Sequence, residues 1–217
     1  STILRQAKAM AQQQNFTDAL SLIEQVLTAD AENEPAQALK VQIGLHSKNS
    51  EITESALKSL VGIAPENLQY SIRLAQFYLD NGETSRAPTV FKPLLSQFQH
   101  PDLYFNYAWF LNRAAEHKQA LINYQKSIDL GLQGSEEAHL NIANIYSSWL
   151  FSPDMARNHL AMALKINPSY VDALYNLGNL EEDSGNREGA KAQFKKIRLL
   201  NPYHGKASAR LALATSG

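Results

Sequence analysis

The chain has no cysteine, which removes disulfides, thiolate chemistry and sulfur-ligated metals from its repertoire. That absence suits the cytoplasm and the periplasm alike. No basic segment followed by an apolar run opens the sequence as a signal peptide does, and the cytoplasm is the expected location ahead of the periplasm. No apolar stretch approaches the roughly 18 residues of a membrane span, so a soluble protein without membrane insertion is expected. A basic excess is missing as well: 20 Lys and Arg stand against 21 Asp and Glu, a net charge of −1. General nucleic-acid binders carry a clear positive surplus, so nucleic acid is not an expected partner. Glycine and proline, at 10 and 8 residues, are sparse enough for an all-helical chain.

What is present is a period. Small residues recur in pairs twelve or thirteen positions apart at Ala7/Ala19, Ala75/Ala87, Ala108/Ala120, Ala143/Ala156 and Gly178/Ala190, with a bulkier Val41/Thr53 pair between the first two. First members follow one another at intervals of 33 to 35 residues. Two helices approach tightly only where side chains are small, so a repeating unit with one small position in each half predicts stacked pairs of short helices. The best-formed unit runs from 171 to 202. Leu174, Leu177 and Gly178 share one helical face, Asp183-Ser184-Gly185-Asn186 breaks the helix, and Ala190, Phe194 and Ile197 restart the stripe before Pro202. Pro168 closes the preceding unit 34 residues earlier.

These residues resemble the tetratricopeptide repeat family. The large apolar residue followed by Gly or Ala, then Tyr, Ala, an aromatic, Ala and Pro, is represented by Tyr146, Ala156, Leu160, Ala163 and Pro168 in the fifth unit. The fourth has Tyr107, Ala108, Ala120, Tyr124 and Ser127, the third Leu74, Ala75, Tyr78, Gly82, Ala87 and Phe91, and the first Ala7, Met10, Phe16, Ala19 and Ile23. The resemblance implies an all-α fold, a right-handed superhelical solenoid of antiparallel helix pairs. One domain over 1–217 is expected, with repeats at about 1–33, 34–67, 68–100, 101–135, 136–170 and 171–204. A capping helix at about 206–215, with Leu211-Ala212 in the small-pair register, would cover the last apolar face.

Three departures carry structural expectations. Val41 and Thr53 should hold their two helices slightly farther apart. Pro93 should kink or break the second helix of the third unit, whereas Pro88 fits a first turn. A one-residue insertion near Ser152-Pro153 stretches the fifth unit.

Chemistry has little footing. His46, His100, His117, His139, His159 and His204 are scattered without ligand spacing, and no phosphate loop or nucleophile elbow occurs. Glu181-Glu182-Asp183 reads as a solvated helix end, because consecutive helical residues diverge. No enzyme site, cofactor or metal is expected.

In the resembled family the first helix of each pair lines a concave channel. Transferring that geometry, the residues two before the small position are Arg5, Leu39, Arg73, Asn106, Asn141 and Asn176. Those one after it are Lys8, Gln42, Gln76, Trp109, Asn144 and Asn179. Asn106, Asn141 and Asn176, spaced 35 apart, resemble the asparagine ladder in the repeat region of the glycosyltransferase that adds N-acetylglucosamine to proteins. A carboxamide both donates and accepts, as does the backbone of an extended peptide. The expected groove comprises Arg73, Gln76, Phe105, Asn106, Trp109, Asn141, Asn144, Tyr175, Asn176 and Asn179, with Phe105, Trp109 and Tyr175 as aromatic shelves. Basic Arg5, Lys8 and Arg73 stand toward the amino end and acidic Glu137, Asp172, Glu182 and Asp183 toward the carboxyl end. The family's clamp on chaperone carboxylate tails is not expected, since Asp102 stands where a cation is needed.

The function expected is a non-catalytic scaffold holding an extended or partly helical peptide of a protein partner. Two alternatives remain open. Ser1 in place of Met suggests a processed chain or a piece of a longer one, such as the substrate-guiding array of a sulfotransferase- or glycosyltransferase-like enzyme. The other is a self-assembling module, and homo-oligomerisation is left open.

Overall fold

The computed structural model describes residues 2–215; Ser1, Ser216 and Gly217, the ends of the expected domain, lie outside the described residues. Thirteen α-helices and one 3-10 turn occur there, and no strand. The chain divides into two compact units, Ser1–Phe98 and Gln99–Gly217.

In the first unit α1 (Thr2–Gln12) pairs with α2 (Phe16–Ala29), and α3 (Glu34–His46) with α4 (Ser50–Ile63). Helix α5 (Leu68–Asp80) pairs with a broken partner, the 3-10 turn Ala87–Val90 followed by α6 (Lys92–Leu95). Pro88 and Pro93 each occupy the first turn of one fragment. The break expected from Pro93 is present, because proline can start a helix but not continue one. Asparagine starts most helices of this unit. Asn33 and Asn49 accept hydrogen bonds from the amides of Ala36 and Ile52 at 3.1 and 3.0 Å, satisfying donors that a helix start leaves orphaned.

The second unit pairs α7 (Pro101–Arg113) with α8 (His117–Asp129), α9 (Glu136–Ser148) with α10 (Pro153–Ile166), and α11 (Val171–Asp183) with α12 (Arg187–Leu200); α13 (Gly205–Thr215) packs on α12. Ala7, Ala19, Ala75, Ala87, Ala108 and Ala120 have no solvent exposure. At Gly178 an added Cβ would lie 2.6 Å from the ring of the fully buried Phe194. Tyr124, Phe91 and Phe194 are completely buried, as their second-helix positions predict.

The Val41/Thr53 expectation needs correction. Close approach of α3 to α4 is kept, but through Gly44, one turn after Val41: a Cβ there would fall 2.9 Å from the backbone nitrogen of Thr53. The small residue has moved along the helix rather than vanished. The insertion in the fifth unit is absorbed by the turn before α10. There Ser152 donates its amide to the Tyr146 carbonyl at 2.8 Å, and Phe151 takes a left-handed conformation with φ of 49°.

Helix α13 packs on α12 in a register other than the Leu211-Ala212 one read from the sequence. Ala207 and Leu211 are buried against Leu174, Ala190, Phe194 and Ile197, whereas Ala212 is exposed.

Candidate functional site

Residues predicted to face inward were placed by register, and the structure groups them within each unit. In the first unit, Arg5, Lys8, Leu39 and Gln42 line one open trough between α1 and α3, together with Leu4, Pro35 and Ala38, of about 330 Å3. On α5, Arg73 and Gln76 are exposed, and Gln76 donates to Asp80 at 2.7 Å one turn along the same helix.

In the second unit the asparagines do not form a uniform row. Asn106 Nδ2 donates to the Asp102 carbonyl of its own helix at 2.8 Å, which fixes the carboxamide against α7. Asn176 Nδ2 crosses from α11 to α9 and donates to Asn144 Oδ1 at 2.7 Å. Asn141 Nδ2 and Asn179 Oδ1 are closed off from solvent and have no hydrogen-bond partner. One is a donor and the other an acceptor. Asn144, Asn176 and Asn179 share a single pocket of about 250 Å3 with Ser147, Ser148 and Asp183, floored by Ala143, Ala156, Leu160 and Leu180.

The small pair Ala143/Ala156 and the flanking leucines set that floor, since α9 and α10 meet there without bulk. Ser147, Ser148 and Asp183 escaped the register argument. The signal was available: Ser147 and Ser148 stand three and four residues after Asn144, and Asp183 four after Asn179, the spacing that keeps side chains on one helical face.

The aromatic shelves are partly occupied by the chain itself. Phe105 is half-buried with its ring edge-on to Tyr124 at 5.5 Å. Trp109 is half-buried, lies edge-on to Phe110 at 4.9 Å, and carries the Arg113 guanidinium 4.7 Å above its ring. Tyr175 lies 5.9 Å from Phe194 and 6.0 Å from His204, centroid to centroid. Each therefore offers an edge or a face rather than a free ring.

Charges near the end of α11 are sorted by partner. Glu181 is buried and accepts from Arg157 Nε at 2.8 Å and Asn186 Nδ2 at 2.7 Å. The hydrogen bond from Arg157 holds its carboxyl below the ordinary glutamate value. Glu182 pairs with Arg210 of α13 at 3.0 Å. The solvated helix end read from Glu181-Glu182-Asp183 thus describes Asp183 alone, which is exposed.

A second cluster was invisible to spacing. His139 on α9 and His159 on α10 bring their Nδ1 atoms to 3.0 Å, and Tyr146 stacks on His159 with centroids 5.9 Å apart. Among the described residues no three His, Asp, Glu or Cys side chains gather as a metal centre would require, and no helix is long and apolar enough to cross a membrane.

Residues 171–204 match the tetratricopeptide repeat family. No curated protein matches the chain in sequence. Among solved structures, the chain is similar to the MamA protein at 19% identity, over 81% of this chain and 96% of that one, with a TM-score of 0.64. YrrB, described as a TPR protein with an unusual peptide-binding site, aligns at 17% identity over 86% of this chain and 96% of its own, with a TM-score of 0.60. PilF of Pseudomonas aeruginosa aligns at 13% identity over 98% and 96%, with a TM-score of 0.61. In fold, the chain is a tetratricopeptide-repeat array.

Proposed function

We propose that this tetratricopeptide-repeat chain is a non-catalytic interaction scaffold that holds an extended or partly helical peptide of a partner protein along the face of α7, α9 and α11 bearing Phe105, Asn106, Trp109, Asn141, Asn144, Tyr175, Asn176 and Asn179. Arg73 and Gln76 occupy the same register on α5 of the first unit. The observation that carries it is that Asn141 on α9 keeps an unsatisfied donor, Nδ2, and Asn179 on α11 an unsatisfied acceptor, Oδ1. Leaving such a group unpaired in a buried site costs about 1–3 kcal/mol, and a peptide backbone supplies both complements. The terminal torsion of asparagine is soft, so each carboxamide can turn toward an arriving strand at little cost. Similarity to YrrB, a TPR protein described as having an unusual peptide-binding site, supports the same class of ligand.

Magnitudes set the affinity. Asn106 and Asn176 have each committed one N–H within the protein, leaving one N–H and the carbonyl oxygen apiece. A handful of hydrogen bonds at about 0.5–1.5 kcal/mol net, with one aromatic contact worth about 2 kcal/mol, offset ordering costs to give micromolar recognition at about −8 kcal/mol.

The test is selection of binders from a random peptide display library on the wild-type chain, followed by titration of an enriched peptide against the Asn141→Ala/Asn176→Ala double variant. Binding about tenfold weaker or worse, with an unchanged circular dichroism spectrum, is expected. Equal affinity for both proteins removes the asparagines from the site.

A second reading, self-association, is favoured by the exposure of Leu199 at 83% and Tyr203 at 95% near the end of the array. Light scattering that stays monomeric up to high protein concentration rejects it.

A further inference from the structure

The pocket between α9 and α11 presents carbonyl, hydroxyl and carboxylate oxygens, and no cationic side chain is among its lining residues. Its polar wall consists of Asn144, Ser147, Ser148, Asn176, Asn179 and Asp183. Of three consecutive carboxylates at the end of α11, Glu181 is neutralised by Arg157 and Glu182 by Arg210, while Asp183 lines the pocket. The mouth therefore retains one uncompensated negative charge. Asn144 Oδ1 is already engaged by Asn176, yet a carbonyl oxygen accepts twice, and Asn179 Oδ1 has no donor at all.

Two helix ends strengthen this polarity. Helix α9 stops at Ser148 and α11 at Asp183, both of which line the pocket, so the negative ends of both helix dipoles lie beside it. The opposing N-terminus of α10 meets Asp154 within its own first turn. A neutral amide from a peptide backbone would use the unpaired oxygen but leave the carboxylate and both dipoles unanswered. A cation answers all three, and charge-assisted hydrogen bonds are roughly twice as strong as neutral ones.

We propose that this pocket is a specificity subsite that admits one basic side chain of the bound peptide, a lysine ammonium or an arginine guanidinium, between Asn179 and Asp183. The inference rests on the peptide-scaffold reading above and adds to it the chemistry of the residue that is selected. The floor of Ala143, Ala156, Leu160 and Leu180 receives the aliphatic stem, as long basic side chains bury their methylenes and keep the charged head among polar groups. Volume is sufficient for one such side chain, not for a folded domain.

The experiment follows side-chain amide signals of the full-length, isotope-labelled chain by NMR during titration with four probes. Three are acetylated and amidated Gly/Ser peptides carrying a single central lysine, norleucine or glutamate; the fourth is Nα-acetyl-lysine methylamide. The lysine peptide is expected to shift Asn144, Asn176 and Asn179 and to bind about tenfold tighter than the norleucine peptide, with glutamate weakest. In the Asp183→Asn variant, whose altered side chain is exposed, that preference should fall to about threefold or less, and added salt should shrink it in the wild type. If the three peptides bind alike, the scaffold reading stands and the cation subsite is overturned. If acetyl-lysine methylamide shifts the pocket but no peptide binds more tightly than it does, the subsite stands and the extended-groove reading falls. Silence from every probe overturns both.

Discussion

His139 Nδ1 and His159 Nδ1 lie 3.0 Å apart across the α9–α10 pair, a separation at which one proton is held between two nitrogens. A second proton would set two like charges against each other in a half-buried site. Burial lowers the pKa of both imidazoles, and the charge of His139 lowers that of His159 further. The sign follows. A depressed folded value means that the unfolded chain binds protons first, so this contribution is fully present above about pH 6.5 and is lost as pH falls through the depressed values. The thermal midpoint should drop between about pH 7 and pH 5, and it should drop less in His159→Gln, which donates a hydrogen bond but does not titrate. Parallel curves for the two proteins would show that the pair is not the titrating group.

Glu54 anchors a charged network in the first unit. Its carboxylate accepts from Lys58 and Arg86, each at 2.7 Å, and from the Tyr78 hydroxyl at 3.0 Å, while Arg86 also reaches Glu83 and covers the Tyr78 ring at 4.1 Å. The hydrogen bonds from Lys58, Arg86 and Tyr78 pull the Glu54 pKa down to about 2. Stability from this cluster is present above the unfolded glutamate value of about 4.3 and disappears as pH falls toward the folded one. Glu54→Gln should cost about 1 kcal/mol at neutral pH, as networked surface pairs do, and clearly less at about pH 2, where the folded carboxylate is half protonated. Chemical denaturation at the two pH values checks both ends of that statement.

The repeat was legible because its period depends on volume, and volume is written one residue at a time. Ala7, Ala75, Ala108, Ala143 and Gly178 had to be small wherever a second helix crossed, so their spacing revealed the architecture. Gly44 was missed for the same reason, since the small residue sits one turn away from where the period asks for it. Pairings between helices were not legible: His139 and His159 are 20 positions apart, and no local rule joins them. The candidate groove falls between these cases. Register brought Asn144, Asn176 and Asn179 to one pocket, but it could not show that Asn106 would bond its own helix.

The glycines of the helices make opposite predictions. Gly178→Ala drives a methyl to 2.6 Å from Phe194, a ring that is itself completely buried and has nowhere to move. Overpacking of that kind costs about 1–3 kcal/mol. Gly62, in α4, has open space where a Cβ would stand, so Gly62→Ala should stabilise by about 0.5–1 kcal/mol through the unfolded chain alone. Equal effects from the two substitutions would contradict the close contact at Gly178.

The turns inside the repeats carry strain that glycine would relieve. Gln14, Lys48 and Ala115 have φ of 61°, 54° and 62°, where the third and sixth repeats use Gly82 and Gly185, both at 78°. A side chain in this left-handed region costs about 1–2 kcal/mol, which glycine avoids while losing more chain entropy. Lys48→Gly, at an exposed turn, should gain about 0.5–1 kcal/mol by the difference. A denaturation midpoint that fails to rise would mean that the Lys48 side chain makes a compensating contribution.

Capping supplies the sharpest test of how the second unit is held. Leu211 is 5% exposed and closes the cluster of Leu174, Ala190, Phe194 and Ile197, so Leu211→Ala should cost about 2–3 kcal/mol, toward the low end for a buried leucine because a terminal helix can settle. In an array stabilised by neighbour contacts, that loss is felt first next door and fades with distance along the chain. Amide hydrogen exchange should therefore quicken in α12 and α13 and stay unchanged in α7 and α8, which pack on each other and not on the cap. Uniform acceleration from α7 to α13 would instead mean that the second unit opens as one cooperative body, and the repeats would then differ in sequence position but not in stability.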